Sequence, residues 1–321
     1  MELKNIAVLT SGGDSQGMNS TINIIVNACT QKGFNIFGIL EGYKGLYEDK
    51  FVKLNLDNVQ NIYSLGGTIL KTARFPKFKE ADVLGKSIEN LRKHKIDALI
   101  VIGGDGSFRG AKELADMGVN IVGIPATIDN DLRYTDKSLG FDTAVNNACS
   151  YVENVKQTMY SLGRGVIFEV MGRYCGDIAL YSACGTAADV VALPEKPITE
   201  AELIEKIKER ISKTKRAPIV IVAEKMFDIK EIAERLNSET NVEFKYSVVG
   251  YVQRGGMPSV EDKTLAMQFG VRAVELISKG IFNVVVGIKN NQIFEMNIDK
   301  ALKSDYNFNY DLLNLFYQLN S

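Results

Sequence analysis

Short β-branched apolar runs alternate along the chain with amphipathic stretches. Ile6–Thr10 predicts a strand, followed by the glycine-containing loop Ser11–Gly17. Ile22, Ile25, Val26 and Cys29 then recur at i, i+3, i+4 and i+7, one face of a helix. Asn35–Leu40 predicts a second strand, and Ile88 and Leu91 mark a helix leading into the apolar run Asp97–Ile102. Gly103–Ser107 opens a helix with Phe108, Ala111, Leu114 and Ala115 on one side. Asn120–Pro125, Val166–Val170, Pro218–Ala223 and Ser247–Val252 read as further strands, with helices at Thr143–Ser161 and Glu200–Lys213. Another helix carries Ala266, Phe269, Ala273 and Leu276, and Asn283–Ile288 with Ile293–Ile298 forms a β-pair about Asn290-Asn291. Such alternation predicts an α/β chain with largely parallel sheets.

With 321 residues the chain has room for two domains, and 45% hydrophobic with 24% charged residues excludes a disordered, collagen-like or coiled-coil protein. The 38 Lys+Arg nearly cancel the 39 Asp+Glu, leaving −1, so no global field recruits nucleic acid or an anionic membrane. Apolar runs such as Ala98–Ile102 fall far short of the ~20 residues of a membrane-spanning helix. Met1-Glu-Leu-Lys-Asn lacks the basic stretch and apolar core of a secretion signal. Cys29, Cys149, Cys175 and Cys184 form no CxxC pair, so reduced thiols in a cytoplasm are expected. The single histidine, His94, lies in the polar run Arg92–Lys95 and reads as a solvated helix face, which argues against a His-based triad or zinc site.

Ligands of open α/β sheets bind beyond the C-terminal strand ends. Three polar loops fall at such places: Ser11–Gly17, Gly103–Ser107 and Pro125–Asp131. In Gly103-Gly-Asp-Gly-Ser107 small residues let the backbone approach a polyphosphate, while the helix behind adds amide donors and a positive dipole end. Asp105 there suits a Mg²⁺ bridging phosphate oxygens; the plainer alternative is a tight turn with Ser107 as N-cap. The glycines match neither the Walker A nor the dinucleotide pattern. In the third loop Thr127, Asp129 and Asp131 alternate, so extended backbone would point all three to one side. One carboxylate could hold metal while its neighbour accepts a proton from a hydroxyl nucleophile, against the alternative of an Asx-rich turn. Of the scattered basic residues Arg74, Arg164, Arg173, Lys245 and Arg254, Arg173 and Arg254 follow predicted strands and are placed to fork onto phosphate oxygens.

Leu9–Asp14 with Gly17–Asn19, Gly42-Tyr43, Gly66–Thr68 with Ala73–Phe75, Gly103–Ser107, Thr127–Asp131, Glu169–Arg173 and Gly250–Gly256 occur in order. On these motifs the chain resembles the bacterial ATP-dependent 6-phosphofructokinases over essentially its full length. The resemblance implies transfer of the ATP γ-phosphoryl group to the 1-hydroxyl of fructose 6-phosphate in glycolysis, with Mg²⁺. It also implies two Rossmann-like three-layer domains with largely parallel sheets and a cleft between them. The expected division is 1–139 plus about 255–302 for ATP and 140–254 plus about 303–321 for the sugar phosphate. A cytoplasmic homotetramer with active sites shared between subunits is implied as well. Carried over by position, Gly13, Arg74, Phe75, Gly104, Asp105, Gly106 and Ser107 would hold ATP, Asp105 reaching its metal. Asp129 would be the base on the sugar hydroxyl, with Thr127 nearby and Asp131 supporting the metal region. Met171, Gly172, Arg173 and Glu224 would contact the sugar, and Arg74 and Arg173 would stabilise charge on the moving phosphoryl group.

Within the family, pyrophosphate users tend to carry Asp at the position of Gly106 and Lys at that of Ala126, where ATP users usually have Gly; ATP is therefore the expected donor. Arg164 and Arg254 match the sugar-phosphate pocket, whereas Lys245 stands for a third arginine and Tyr251 for a histidine. Lys keeps the charge but loses the bidentate fork, so a raised KM is expected more than a lost kcat. The family's effector site, for a nucleoside diphosphate or phosphoenolpyruvate, has arginines where Asn23, Asn27 and Lys156 stand; Lys213, Lys215 and Asp189 partly preserve the rest. Weak or absent regulation follows. The rival readings are a catalytically silent homologue, a lipid or NAD kinase, and a kinase for a related sugar phosphate such as tagatose 6-phosphate. Intact Asp105, Thr127, Asp129 and Arg173 weigh against the first, and the stretches Thr127–Asp131 and Met171–Arg173 against the second.

Overall fold

Ala98–Gly103 is an unbroken apolar run whose six residues are all buried, as a strand covered on both faces requires. The computed structural model, which describes residues 3–305 and 308–320, places this strand at the centre of a seven-stranded sheet. In chain order the first elements are β1 (Asn5–Ser11), α1 (Met18–Gln31), β2 (Asn35–Ile39), α2 (Gly42–Tyr47), β3 (Phe51–Leu54), α3 (Leu56–Val59) and α4 (Ala81–Lys93). Next come β4 (Ala98–Gly103), α5 (Asp105–Asp116), β5 (Ile121–Pro125), α6 (Phe141–Ser161), β6 (Gly165–Val170), α7 (Asp177–Gly185), β7 (Val190–Ala192) and α8 (Glu200–Thr214). The last are β8 (Ile219–Ala223), α9 (Ile229–Glu239), β9 (Phe244–Val248), α10 (Val260–Ser278), β10 (Val284–Lys289), β11 (Gln292–Asn297), α11 (Ile298–Leu302) and α12 (Tyr310–Asn320).

Two units result, Met1–Thr143 with Arg254–Tyr306, and Ala144–Gln253 with Asn307–Ser321. The first holds the sheet β11-β10-β5-β4-β1-β2-β3, parallel except at its two edges, where β3 and β11 pair antiparallel. Alternate residues of its strands serve opposite faces. Ile6, Val8, Ile100 and Ile102 pack with Ile22, Ile25 and Phe269 of α1 and α10, while Ala7, Leu9, Leu99 and Val101 pack with Ile88 of α4 and Phe108 of α5. The second unit holds the all-parallel sheet β7-β8-β6-β9. There Ile167, Val220 and Val222 pack with Leu203 and Ile207 of α8 and Ile232 and Leu236 of α9.

Five sequence readings need correction. The strand at Ser247–Val252 lies earlier, at Phe244–Val248; Gly250, with φ 59°, breaks the extended chain, and Gly250–Arg254 is a 3₁₀ turn closed by Gln253 Nε2 on Gly250 O. Arg254 therefore ends a turn and does not follow a strand directly. Ser107 is not the N-cap of α5, which starts two residues earlier, at Asp105. The stretch Thr127–Asp131 is a turn, with Asn130 in the left-handed region at φ 51°, so simple alternation does not set its side chains. His94 is not a free solvated face: its ring stacks on Phe51 at 4.1 Å and its Nε2 lies 2.6 Å from Asp49 Oδ1. Among the described residues no helix is long and apolar enough to cross a membrane, and the four cysteines are free thiols.

Candidate active site

β1, β4 and β5 are parallel hydrogen-bonded neighbours, so the loops leaving their C-terminal ends emerge side by side. Gly103 has no room for a side chain, because a Cβ would collide with Ser11 O and Ser107 Oγ. Gly104 lets the second loop meet the third, its Cβ position lying 3.6 Å from Thr127 Cβ. Gly106, by contrast, faces open space, with nothing within 4 Å of where a Cβ would stand. The first turn of α5 has no side-chain cap; Ser107 N turns back onto Gly104 O at 3.0 Å, which leaves the amides of Asp105 and Gly106 to face an anion. Ser107 is buried and its Oγ has no hydrogen-bond partner, while Tyr43 OH donates to Ser107 O. An unpaired buried hydroxyl costs about 1–3 kcal/mol and points to a ligand oxygen.

Asp105 is half-exposed and pairs with Arg109, whose Nε and Nη2 lie 2.7 and 3.1 Å from the two carboxylate oxygens. Arg109 escaped the sequence reading, although its i, i+4 spacing from Asp105 is the signal of such a pair. The third loop is pinned from within. Thr127 Oγ1 accepts from Asp129 N at 3.2 Å, Asn130 Oδ1 accepts from Ser138 N at 3.0 Å, and Ser138 Oγ donates to Thr127 O. Ala126 N donates to Gly103 O at 3.0 Å, which ties this loop to the second. Thr127, Asp129 and Asp131 remain partly exposed on the pinned turn.

In the first loop Gly13 lies against the Arg254 guanidinium, where a Cβ would collide. Arg254 Nη1 stands 3.8 Å from Asp14 Oδ1, and its Nε is buried without a partner. Arg74 is exposed; Phe75 packs on Tyr47 at 5.7 Å, next to Phe78, which stacks on Tyr43 at 4.0 Å. The first unit thus gathers Gly13, Gly104, Asp105, Gly106, Ser107, Thr127, Asp129, Asp131 and Arg254 at one sheet edge.

In the second unit the chain leaves β6 through Met171, Gly172 and Arg173. Met171 N donates to Gln253 Oε1 at 3.1 Å and Arg173 N to Glu224 Oε1 at 2.8 Å. Arg173 adopts φ 61°, a left-handed backbone that costs a non-glycine residue about 1–2 kcal/mol. Burial, reinforced by the charges of Glu224 and Asp228, raises the Glu169 carboxyl above its usual range. Arg164 and Lys245 stand at the other end of this sheet. The six residues of β6 separate Arg164 from Met171, roughly 20 Å of extended chain, so one chain does not bring these two groups together. Tyr251 is 82% exposed on the 3₁₀ turn. Asn23 Nδ2 donates to Val59 O and Asn27 Nδ2 to Asn23 O, both at 2.8 Å, so the two amides are engaged by backbone. Asp189 is buried between Arg210 and Arg216.

Glycine- and acid-rich loops at the C-terminal edge of a doubly wound sheet define an α/β protein built to handle phosphate groups. Residues 5–277 match the family Phosphofructokinase, and the chain belongs to that family. It is 44% identical over 300 residues, 94% of each chain, to an ATP-dependent 6-phosphofructokinase of Clostridioides difficile (strain 630). It is 42% identical to ATP-dependent 6-phosphofructokinase 1 of Clostridium perfringens, over 99% of this chain and all of that one. Among solved structures, Pichia pastoris phosphofructokinase in the T-state superposes with a TM-score of 0.89 at 31% identity. That match covers 94% of this chain and 36% of the longer Pichia chain. A pyrophosphate-dependent phosphofructokinase from Marinobacter aquaeolei shares the fold, with a TM-score of 0.85 at 20% identity.

Proposed function

We propose that this chain is an ATP-dependent 6-phosphofructokinase, transferring the γ-phosphoryl group of ATP to the 1-hydroxyl of fructose 6-phosphate. The observation that carries the reading is the contact of the second and third loops: Gly104 lies against Thr127, so a phosphate cradle adjoins a loop bearing Asp129 and Asp131. Phosphoryl transfer asks for positioning, charge neutralisation and a base on the nucleophile, and these loops supply all three.

Gly13, Gly104, Gly106, Ser107, Arg74 and Phe75 hold ATP; the open approach at Gly106 admits its phosphates, and Ser107 Oγ donates to a phosphate oxygen. Asp129 accepts the proton of the sugar 1-hydroxyl as that oxygen bonds to the γ-phosphorus and ADP departs. Thr127 steadies Asp129, and Asp131 adds charge on the metal side. Met171, Gly172, Arg173 and Glu224 hold the sugar, and Arg173 and Arg74 offset charge on the phosphoryl oxygens. Among the described residues no three carboxylate, thiol or imidazole groups form a metal cage. A Mg²⁺ held by one carboxylate, phosphate oxygens and water needs none, so the half-exposed Asp105 fits that donor set. When bound, the ion neutralises phosphate charge.

A strand's length parts Arg164 from Met171 within one chain, which supports a reading in which Arg164 and Lys245 serve the sugar phosphate held by a second copy. In this reading the active species is an oligomer, a homotetramer, working in the cytoplasm. ADP release with Mg²⁺ and fructose 6-phosphate, run with ATP beside pyrophosphate as donor, tests the function. ATP-dependent turnover supports it; nucleotide binding without turnover, or turnover with pyrophosphate alone, overturns it.

A further inference from the structure

We infer that Gln16 is the positioning residue that aims Arg254 at the sugar phosphate, an inference resting on the kinase reading. Gln16 is wholly buried, yet its side chain is polar and crosses to a distant segment: Nε2 donates to Gly255 O at 2.8 Å, across 239 residues of sequence. Burying an amide without a partner is costly, so this bond fixes where the Gly255 peptide stands.

Arg254 needs such an anchor because its own head group is loosely held. The ion pair with Asp14 is 3.8 Å long, beyond hydrogen-bond range, and Nε has no partner. The aim of the guanidinium is then set by its backbone. Gln16 holds that backbone on one side through Gly255, and Gly66 presses on Gly256 O at the next residue, where a Cβ would collide. The geometry closes a ring. Gly13, against which the guanidinium rests, is three residues before Gln16; Gln16 bonds to Gly255; Gly255 adjoins Arg254. Gly140, where a Cβ would crowd Ser15 Cβ and Gln16 N, keeps the loop from drifting away. Gln16 itself touches neither nucleotide nor sugar in this scheme and acts through Arg254.

Gln16→Leu removes the donor and keeps the bulk. The expected result is a KM for fructose 6-phosphate raised roughly five- to tenfold, about one lost hydrogen bond, with kcat within about twofold and KM for ATP unchanged. In an Arg254→Ala background the same change should add nothing, because its only route of action is gone. A KM equal to wild type, or a loss shared equally by kcat and both KM values, or full additivity with Arg254→Ala, overturns the inference. Gln16→Met, unbranched and of the same length, repeats the test should the branched Leu impair folding. Calorimetric titration with fructose 6-phosphate reads the same comparison as Kd. A wild type that binds sugar phosphate without turnover thus sinks the kinase reading while this test still stands.

Discussion

Arg164 and Lys245 share one carboxylate: Arg164 Nε lies 2.6 Å from Glu243 Oε2, and Lys245 Nζ 2.8 Å from Glu243 Oε1. Their two strands run parallel, with Val166 opposite Lys245, so both cations start from the same end of the sheet. Lys245 first and Arg164 second hold the Glu243 carboxyl below its usual range. In the proposed function a phosphate dianion arriving there would compete with Glu243 for both cations. The pair acts as one module, displayed away from the Met171–Arg173 end of its own chain.

That separation makes activity complementable. Asp129→Ala and Arg164→Ala should each be nearly inactive alone, the first by about 10²–10⁴-fold in kcat. Denatured together and refolded, they should regain a substantial fraction of activity, as the proposed pairing of one chain's Asp129 with the other's Arg164 requires. Coupled-assay rates of the mixture, against each variant refolded alone, decide it. No recovery would mean that the two residues serve one chain's site. Lys245→Arg, restoring a bidentate fork, should lower KM for fructose 6-phosphate by a fewfold with kcat little changed.

Gly106 has open space where a side chain would stand, so the fold itself does not demand glycine there. Gly106→Asp should leave the thermal midpoint within about 2 °C, as surface changes usually do, while cutting ATP-dependent kcat/KM by more than about tenfold. Melting curves and initial rates separate the two effects. A large drop in the midpoint would return the glycine to a structural role.

Asp262 lies buried in the first turn of α10, accepting from Gly140 N at 2.8 Å and from Thr143 N at 2.9 Å and Oγ1. Burial raises its pKa from 3.8 to about 6; the Thr143 and Gly140 bonds oppose that rise, and Asp142 adds to it. The folded state thus holds the proton more tightly than the unfolded chain. Its contribution is complete below about pH 4 and is lost as pH climbs through about 6, on the order of 3 kcal/mol in all. Relative to Asp262→Asn, the wild type should gain stability in urea melts as pH falls from about 7 to 5. Parallel curves for the two proteins would refute the assignment.

Phosphoenolpyruvate should shift the fructose 6-phosphate saturation curve by less than about threefold, below the usual range of allosteric coupling. Asn23 and Asn27 carry no charge and spend their amides on backbone carbonyls, which leaves little to distinguish a phosphate-bound state. A shift of tenfold or more in a saturation series would contradict this.

The chain's periodicities determined its layers. Ile6–Thr10 and Ala98–Ile102 were legible as strands because alternation and unbroken apolar runs are local properties, and so was the turn at Asn290-Asn291, where both residues adopt positive φ. Loop composition marked the three segments Ser11–Gly17, Gly103–Ser107 and Pro125–Asp131, which the structure places at the C-terminal ends of β1, β4 and β5. What tertiary structure decided was everything that depends on neighbours distant in sequence. Ser247–Val252 has a strand's composition, yet only Ser247 and Val248 belong to one; Gly250 turns the chain, and the buried Gln253, accepting from Met171 N 82 residues away, holds the turn that follows. Ser138, Gln16, Asp262 and Glu243 carry no motif of their own, and each matters through a partner several to hundreds of residues away. A hydrogen bond acts over three ångströms of space whatever the length of chain between its ends, and a sequence records only the chain.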